Sequence, residues 1–509
     1  MDQLISLGDG FAVAFAPSNL LFLVIGAILG TAVGVLPGLG SAMAVALLLP
    51  VTFSLDPTGA FIMFASIYFG GLFGDSTAGI LLNTPGNSSA IATSFEGHRM
   101  AKSGQAAKAL GTAAIGAFVG GTIACTLVVF FSPFIADLAR VFGPAEYFAL
   151  TVVAFVAISS VVADSIVRGL VALGLGFAIS LVGIDGVSGA ERFTGGIPQV
   201  FDGVSIIVLT VGLLALGEVL HVGAYIRTGG GPGKIIDSKG SPFLGRSDWR
   251  KVIPAFLRGT SFGVPFGVIP VGGSEVPTFL AYGTEKRLAR RRKDPDFGGR
   301  GAIQGVAAPE AAGNATAGTA MGALLALGIP TSATAAMMIA AFQQYGMQPG
   351  PLLFERNADL VWPLLASFFV GLVILLIINL PFAAVWAKLL LVPRHYLYAG
   401  ITVLAMLGVY AVASRTFDMW VALGIGVVGF IMRRFSIPIA PVLIAAILGP
   451  VAEVQLRRAL AISEGDPVAL VASPLPIVLY VLLAIVVVFS GVRHLQAAQA
   501  KRREAAAIR

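Results

Sequence analysis

Long apolar runs separated by short polar stretches set the pattern of this chain. A helix needs about 20 residues to cross a bilayer, and runs suited to that task recur near Leu20–Leu36, Gly59–Phe73, Leu110–Phe131, Tyr147–Val162, Gly169–Val182, Val204–Val219, Ala320–Ala341, Leu360–Leu391, Tyr398–Val412, Val421–Ile431 and Pro474–Val492. With the less regular segments between them, these runs predict roughly twelve transmembrane helices. The two-residue alternation of a membrane β-barrel is absent, so the predicted fold class is an all-α integral membrane protein.

Composition and charge agree with a membrane protein. Of the 509 residues, 57% are hydrophobic and only 12% are charged, whereas soluble domains carry about 25% charged residues. The N-terminal segment has acidic Asp2 and Asp9 and no basic region, which predicts a retained first span rather than a cleaved signal peptide. The net charge of +7 is concentrated in short connections, which are predicted to face the cytoplasm. No basic soluble domain is present, so nucleic acid is excluded as a partner.

The glycines and prolines, 63 and 28 in number, are the unusual feature. Gly26, Gly30 and Gly34 recur at intervals of four residues, which predicts close helix packing. Others fall in paired clusters, since "GTAVGVLPGLGSAMAV" from Gly30 resembles "FGVPFGVIPVGGSEVPTF" from Phe262. More loosely, "DSTAGILLNTPGNSSA" matches "NATAGTAMGALLALGIPTSAT", with six extra residues between the T-A-G and the proline. Interrupted hydrophobic segments in corresponding positions indicate a transporter's binding site.

The charges of the following loops give the two halves opposite orientations. The segment after "PGLG" is "FSLDPTG", without a basic residue, whereas "EKRLARRRKDPD" follows "PVGG". After the second pair the bias reverses, because "EGHRMAKSGQAAK" follows "NTPG" while "QQYGMQPGPLLFERNAD" follows "GIPTSAT". This is typical of inverted-topology repeats. The predicted organisation is a first transmembrane repeat at 1–225, a cytoplasmic loop at 226–250, a second, inverted repeat at 251–393, C-terminal transmembrane helices at 394–492 and a basic cytoplasmic tail at 493–509.

The polar clusters themselves are predicted to bind an anion. A bilayer tolerates non-helical backbone only where protein or a water-filled cavity surrounds it, so "NTPGNSS" should be the tip of a broken or re-entrant helix. Exposed amides and the N-terminus of the following half-helix carry partial positive charge; the alternative is an ordinary polar loop. The predicted substrate-binding residues are Gly38, Gly40, Ser41, Asn83, Thr84, Pro85, Gly86, Asn87, Ser88, Ser89, Gly272, Gly273, Ser274, Asn314, Pro330, Thr331, Ser332 and Thr334.

Three acidic residues beside these clusters are candidates for cation coupling. Ionisable groups within the membrane are functional suspects by default, and Asp75, Glu275 and Glu310 could carry a proton or help to hold Na⁺. Each could instead be a hydrogen-bonded structural carboxylate, and Glu310, which follows a proline, could cap a helix. No metal site or other cofactor is expected, because the four histidines are widely scattered.

With these motifs in view, the chain resembles the TctA family, the large membrane subunit of tripartite tricarboxylate transporters. The resemblance runs from about Asn19 to beyond Leu353 and rests on "GVLPGLG", "LLNTPG", "EGHRMAKSGQAAKALG", "GAIQGVAAPEAAGNATAG", "LGIPTSAT" and "QPGPLLF". It implies a multi-pass protein of the bacterial inner membrane that pairs with a small four-helix membrane subunit (TctB-like) and receives substrate from a periplasmic solute-binding protein (TctC-like). It also implies uptake of carboxylates, citrate among them, driven by a gradient of H⁺ or Na⁺.

Two other functions compete with this interpretation. A stand-alone permease for small organic anions has a similar architecture and would differ in needing no binding protein. An intramembrane enzyme is disfavoured, since the sequence has no recognisable aspartate dyad, no HExxH motif and no nucleophile with an adjacent base. The expected function is therefore the permease subunit of a binding-protein-dependent secondary transporter, and not an enzyme.

Overall fold

The structure is a computed structural model, and it is helical nearly throughout the part of the chain that it describes. The described residues are 2–36, 39–52, 55–84, 88–139, 142–162, 166–186, 188–225, 236–238, 240–269, 273–481 and 483–484. In the N-terminal part the helices are α1 (Asp2–Ala14), α2 (Pro17–Val35), α3 (Ser41–Thr52), α4 (Pro57–Leu82), α5 (Ile91–Met100), α6 (Ala106–Ala139), α7 (Pro144–Val162), α8 (Ile166–Ser180), α9 (Ile206–Thr210) and α10 (Gly217–Tyr225).

The helices continue through the C-terminal part. They are α11 (Arg246–Val268), α12 (Glu275–Arg292), α13 (Gln304–Leu327), α14 (Ala333–Gln344), α15 (Leu353–Arg356), α16 (Ala358–Asn379), α17 (Ala383–Ala387), α18 (Arg394–Ala413), α19 (Thr416–Arg434) and α20 (Ile439–Ile462). Short 3₁₀ turns lie at Ser88–Ala90, Pro198–Val200, Lys388–Leu391 and Pro467–Val471, and π-helical turns at Ala101–Gln105 and Val211–Leu216. Strands β1 (Gly183–Ile184) and β2 (Glu191–Arg192) form an antiparallel hairpin, with Gly183 opposite Arg192.

Seven helical stretches of the described chain are long and apolar enough to cross a membrane. They are Pro17–Val35, Pro57–Leu82, Ile91–Phe131, Ile206–Ala224, Ala358–Asn379, Thr416–Arg434 and Ile439–Ile462. The bent pair Ala383–Leu391 and His395–Ala411, which turns by 94°, would make eight. The all-α membrane class is thus confirmed, while the expected twelve helices stay a prediction. The predicted run Ala320–Ala341 is not continuous, because α13 ends at Leu327 and α14 begins at Ala333.

Two segments predicted as basic connections are helical instead. "EGHRMAKSGQAAK" forms the end of α5, a π turn and the start of α6, with Gly104 at φ 83° inside the turn. The stretch from Glu285 to Arg292 belongs to α12, which ends at a left-handed Lys293. Basic side chains in the last turn of a helix are stabilised by the helix dipole. A cluster of basic residues therefore does not by itself indicate a loop.

The described residues divide into two compact units. The first unit consists of residues up to Ala139 together with Ser205–Ile269 and Gly273–Arg434. The second consists of Arg140–Val204 and the residues from Phe435 onward, with Pro270–Gly272 outside the described range. In the second unit α20 packs against α7 and α8. Arg192 Nη1 lies 2.8 Å from Glu453 Oε1, and Arg457 Nη1 lies 2.8 Å from Asp185 Oδ2, so ion pairs join the hairpin to α20.

Glycine ladders hold two helix pairs of the first unit in close contact. A methyl group at Gly26 would lie 2.6 Å from the carbonyl oxygen of Met63, and one at Gly30 would lie 2.5 Å from that of Ile67, so α2 and α4 touch backbone to backbone. This confirms the predicted packing role of Gly26, Gly30 and Gly34. The same arrangement joins α11 to α13, where Gly259 and Gly263 face the carbonyls of Ala308 and Ala312. Larger side chains at such positions would separate the helices.

The two ladders also give a register between the two halves. Met63 and Ala308, which occupy equivalent places in the two ladders, are 245 positions apart in the sequence, and so are Ile67 and Ala312. The same 245 positions separate Asn83 from Gly328. Asn83 and Gly328 end α4 and α13, and both have left-handed backbone, with φ 56° and φ 71°. The helix packing therefore aligns the two "tip" prolines and shifts the T-A-G sequences out of register.

Candidate functional site

Both predicted tips lie where a long buried helix stops. The N–H of Asn83 bonds to the carbonyls of Ala78 and Gly79 and closes α4, and the N–H of Gly328 bonds to that of Leu324 and closes α13. Asparagine and glycine are the residues that adopt left-handed backbone most easily. Helical structure resumes at Ser88 after the first tip and at Ala333 after the second. The predicted break in "GIPTSAT" is confirmed; in "NTPGNSS", Pro85, Gly86 and Asn87 lie outside the described residues.

Three helix N-termini of the first unit converge around the second tip. Ser41, the first residue of α3, shares a hydrogen bond of 3.0 Å between its hydroxyl and that of Thr334 in the first turn of α14. Ser332 caps α14, since its Oγ accepts from the N–H of Ala335 at 3.2 Å. A side-chain carbon at Gly273, just before α12, would lie 3.8 Å from Ser332 Cβ. Helix N-termini carry partial positive charge and free N–H groups, so the convergence suits an anion.

Further side chains complete this cluster, which we call the N-terminus cluster: Ser41, Tyr68, Gly273, Ser332 and Thr334. Tyr68, on the buried α4, has its hydroxyl beside Ser332. Thr331 Oγ1 beside it is buried and has no hydrogen-bond partner among the described residues. A buried hydroxyl without a partner costs free energy, and a bound ligand oxygen would satisfy it.

A second group of polar side chains, which we call the carboxylate cluster, consists of Asp75, Ser76, Ser89, Thr93, Glu310 and Asn314. Asp75 and Glu310 are 1% and 6% exposed. Ser76 and Thr93 both donate to Glu310 Oε1, at 2.8 and 2.6 Å. Ser89 donates to Asp75 Oδ2 at 3.3 Å, which brings the start of the segment after the first tip onto α4. Burying carboxylates is costly unless hydrogen bonds or cations compensate them.

The carboxylate cluster encloses a small cavity. Its wall is formed by Leu72, Asp75, Ser76, Ser89, Ala90, Thr278, Pro309, Glu310, Gly313 and Asn314. The cavity has room for about one water molecule or one small ion. Asn314 donates from Nδ2 to the carbonyl of Glu310 at 3.1 Å, while its Oδ1 is buried without a partner among the described residues. Oxygen atoms from carboxylates, hydroxyls and an amide are the ligands that hard cations prefer.

The two clusters share one face of α4. Tyr68 and Asp75 are seven residues apart, and a side-chain carbon at Gly71, between them, would lie 2.7 Å from Ser41 Cβ. At 1.5 Å rise per residue, about 6 Å of helix separates Gly71 from Asp75. An anion at one cluster and a cation at the other would therefore be close neighbours.

The predicted site residues are distributed as follows. Ser41, Gly273, Ser332 and Thr334 meet in the N-terminus cluster, and Asp75, Ser89, Glu310 and Asn314 in the carboxylate cluster. Glu275 begins α12, and its Oε2 would lie 3.3 Å from a side-chain carbon at Gly273, so it stands beside Ser332. Glu310 lies well inside α13, which begins at Gln304, so the helix-cap interpretation is wrong. Gly38 and Gly272 lie outside the described residues, as do Pro85, Gly86 and Asn87, and the side chain of Ser88 is not described.

Sequence reasoning did not find Tyr68, Ser76, Thr93 or Thr278. Ser76 belongs to the motif "DSTAGILLNTPGNSSA", and Thr93 lies just after it. Both contact Glu310 across more than 200 positions of sequence, since 234 and 217 positions separate the pairs. Tyr68 belongs to a nearly unbroken apolar helix. A signal was available for Tyr68, because it lies seven residues before Asp75 and thus on the same helical face.

A third buried carboxylate, that of Glu96, holds neighbouring segments of the chain together. Glu96 in α5 is fully buried and accepts from the N–H groups of Gly298 and Ala302, at 3.1 and 2.9 Å to Oε2. Tyr282 donates to Glu96 Oε1 at 3.3 Å, and Arg99 pairs with the same oxygen at 3.2 Å. Burial, and to a smaller extent the neighbouring Glu96 carboxylate, raise the pKa of Tyr282 to about 12. These bonds fasten the segment between α12 and α13 to α5.

Comparison with known proteins gives the chain its relatives. A family model described as "Tripartite tricarboxylate transporter TctA family" matches residues 20–444. The chain is 37% identical over 475 residues to an uncharacterized 52.8 kDa protein in the TAR-I ttuC' 3'region of Agrobacterium vitis, covering 93% of both chains. It is 38% identical over 213 residues to an uncharacterized protein in the TAR-II ttuC' 3'region of the same organism, covering 42% of this chain and 87% of the relative. No solved structure matches.

Proposed function

We propose that this chain carries a small organic carboxylate inward across the bacterial inner membrane together with a cation. The proposal follows from the family, because the chain belongs to the tripartite tricarboxylate transporter TctA family. Membership makes the chain the large membrane subunit of such a transporter rather than an enzyme. The proposal adds the substrate class, the coupling, and two partners: a small four-helix TctB-like subunit and a periplasmic TctC-like binding protein.

The observation that carries the proposal is the convergence of helix N-termini at Ser41, Gly273 and Ser332. The substrate's carboxylate groups would accept from the hydroxyls of Ser41, Ser332 and Thr331 and from the backbone amides of these helix ends. The N-terminus cluster contains no lysine or arginine, so affinity would come from dipoles and hydrogen bonds. A charged ligand held by such bonds gains about 1.5–3 kcal/mol for each.

The carboxylate cluster is the proposed site of the coupling cation. Asp75 and Glu310 supply negative charge, while Ser89 and Asn314 Oδ1 supply neutral oxygens around a cavity of ionic size. A proton on one carboxylate would meet the same electrostatic need, so the coupling ion is Na⁺ or H⁺. Cation binding near the N-terminus cluster would favour the anion by Coulomb attraction, which gives a physical basis for coupled transport.

Contacts between distant segments support the proposed inverted topology. The basic segment after the first tip contacts a residue just beyond the basic segment "EKRLARRRKDPD", as Ser103 Oγ donates to the carbonyl of Arg300 at 3.0 Å. The two segments without a basic bias are likewise close to each other, as the Tyr345 hydroxyl donates to the carbonyl of Thr52, the residue before "FSLDPTG", at 2.7 Å. The matching glycine ladders and left-handed helix ends of α4 and α13 support a repeat.

Uptake in proteoliposomes tests this function. The chain would be reconstituted together with the TctB-like small subunit. Labelled succinate and citrate would then be supplied with or without the purified binding protein, and with or without a Na⁺ or H⁺ gradient. We expect accumulation that requires the binding protein and one of the gradients. Accumulation without the binding protein would favour the stand-alone permease, and no carboxylate uptake under any condition would refute the proposal.

A further inference from the structure

A second anion-binding pocket lies at the surface of the first unit, apart from the N-terminus cluster. It is a cavity of about 440 Å³, within the range of 300–1,000 Å³ that small-molecule sites occupy. Its walls come from the end of α4, from α5 with the following π turn, and from α12. The lining residues are Asn83, Ser94, Phe95, His98, Arg99, Lys102, Tyr282 and Lys286.

We propose that this pocket, which we call the basic pocket, binds the transported carboxylate on its way out to the cytoplasm. The inference rests on the proposed function and adds to it a second binding site on the cytoplasmic side, the release station, which the substrate occupies during release. It follows from three observations: the charge of the walls, their rigidity, and the position of Asn83.

The charge of the basic pocket is positive and only partly compensated. Arg99 is paired with Glu96, whose carboxylate is fully buried and turned toward Gly298 and Ala302. Lys102 and Lys286 are exposed and have no ion-pair partner within the described part of the chain. The lining contains no aspartate or glutamate. Two ammonium groups facing one cavity repel each other, and a dianion between them would remove that repulsion.

The walls of the pocket are held in place without a ligand. Phe95 of α5 packs edge-on against Tyr282 of α12, with ring centroids 5.2 Å apart. His98 Nδ1 lies 2.9 Å from the carbonyl oxygen of Ile80, which can only accept, so Nδ1 donates and the ring is fixed to α4. Glu96 holds Tyr282 and Arg99 from beneath. A pre-formed pocket binds its ligand without a large ordering cost.

The position of Asn83 links the basic pocket to the transport path. Asn83 ends α4 and is the first residue of the "NTPGNSS" tip, and it is exposed in the pocket wall. The charge pattern predicts that this face is cytoplasmic, because "EGHRMAKSGQAAK" and the end of α12 supply the basic residues. An anion that leaves the N-terminus cluster toward this face would thus meet Lys102 and Lys286.

Sided transport kinetics test the inference. The double variant Lys102→Gln/Lys286→Gln would be compared with Lys251→Gln/Arg291→Gln, which removes the same charge from exposed positions outside the pocket. In proteoliposomes of defined orientation, the KM for succinate and citrate supplied at the cytoplasmic face should rise at least about tenfold in the first variant. The KM at the opposite face should change less than twofold, and Lys102→Arg/Lys286→Arg should restore the wild-type value.

The same preparations distinguish the failures. Equal cytoplasmic KM values in the pocket and control variants would overturn the release station while leaving the proposed function intact. If wild-type protein transports neither probe, the proposed function fails, and equilibrium binding of succinate to the detergent-solubilised chain then tests the pocket separately. Inorganic phosphate is the competing ligand, and a pocket that loses phosphate binding but keeps carboxylate affinity in the variant would also overturn the inference.

Discussion

Thr93 and Glu310, 217 positions apart, meet in the interior of the first unit, where the threonine hydroxyl donates a hydrogen bond of 2.6 Å to Glu310 Oε1. Ser76 donates to the same oxygen at 2.8 Å. The two bonds tie α5 and α4 to α13 through one carboxylate. A buried acid fixed by two hydroxyls is well placed either to brace these helices or to respond to a cation, and substitution separates these roles.

Replacing Glu310 with glutamine should uncouple transport. Glu310→Gln keeps an oxygen that can accept from Ser76 and Thr93 but removes the negative charge. We expect gradient-driven accumulation of labelled carboxylate to fall at least about tenfold, while exchange across the membrane persists. Glu464→Gln, at an exposed acid of the second unit, is the control. Full accumulation in Glu310→Gln would leave this residue a structural role only.

Asp75 and Glu275 should differ in their response to the ion. Asp75→Asn weakens an oxygen ligand of the proposed cation site, so the Na⁺ concentration for half-maximal uptake should rise about tenfold if Na⁺ is the coupling ion. Uptake would be measured against Na⁺ at fixed pH and then against pH at fixed Na⁺. Glu275→Gln lies beside Ser332 and should alter the carboxylate KM more than the ion dependence. Wild-type ion dependence in Asp75→Asn would place the cation site away from Asp75.

The hydroxyl of Ser332 serves two purposes, and two substitutions resolve them. Ser332→Ala and Ser332→Gly both remove the group proposed to bind the substrate, which should weaken affinity about ten- to a hundredfold. Alanine at a helix N-cap also costs about 0.5–2 kcal/mol of stability, whereas glycine costs only a few tenths. Equal affinity losses with unequal melting temperatures would support substrate binding. Losses that follow the melting temperature would assign Ser332 to capping alone.

The glycine ladders should tolerate no side chain. Gly30→Ala and Gly263→Ala place a methyl group against the carbonyls of Ile67 and Ala312, and overpacking of this kind costs about 1–3 kcal/mol. Gly424→Ala is the matched control, because nothing lies within 4 Å of a side-chain carbon there. Melting of the detergent-solubilised protein should fall for the first two variants and not for the control. Similar melting of all three would show that α2–α4 and α11–α13 can separate without loss.

Accessibility labelling tests the orientation of the halves. Single cysteines would be placed at Arg291, Gln348 and Arg503 after replacement of the buried Cys125 by alanine. The charge pattern predicts that an impermeant reagent added outside labels only Gln348→Cys. External labelling of Arg291→Cys or Arg503→Cys would reverse the assigned orientation. Labelling of all three positions from the same side would remove the inverted repeat.

The sequence by itself determined the class of protein and the places where its helices break. Hydropathy requires a helical membrane protein because backbone groups in lipid must bond within their own segment. The spacing of Gly26, Gly30 and Gly34 predicted close packing, because a four-residue interval places small residues on one helix face. The motifs around Pro330 predicted an interruption, and the family followed from the order of the motifs.

Tertiary structure decided which of these residues act together. Ser41 meets Thr334 because α3 packs against α14, and Thr93 meets Glu310 because α5 packs against α13. These helices are distant in the sequence, and a single sequence carries no record of such pairings. The helical form of the basic segments was also decided by packing, since Glu96 and Tyr282 fasten α5 to α12. Scattered basic residues thereby gather in one pocket. Local pattern thus sets the helices and their ends, while burial and backbone contact set the sites between them.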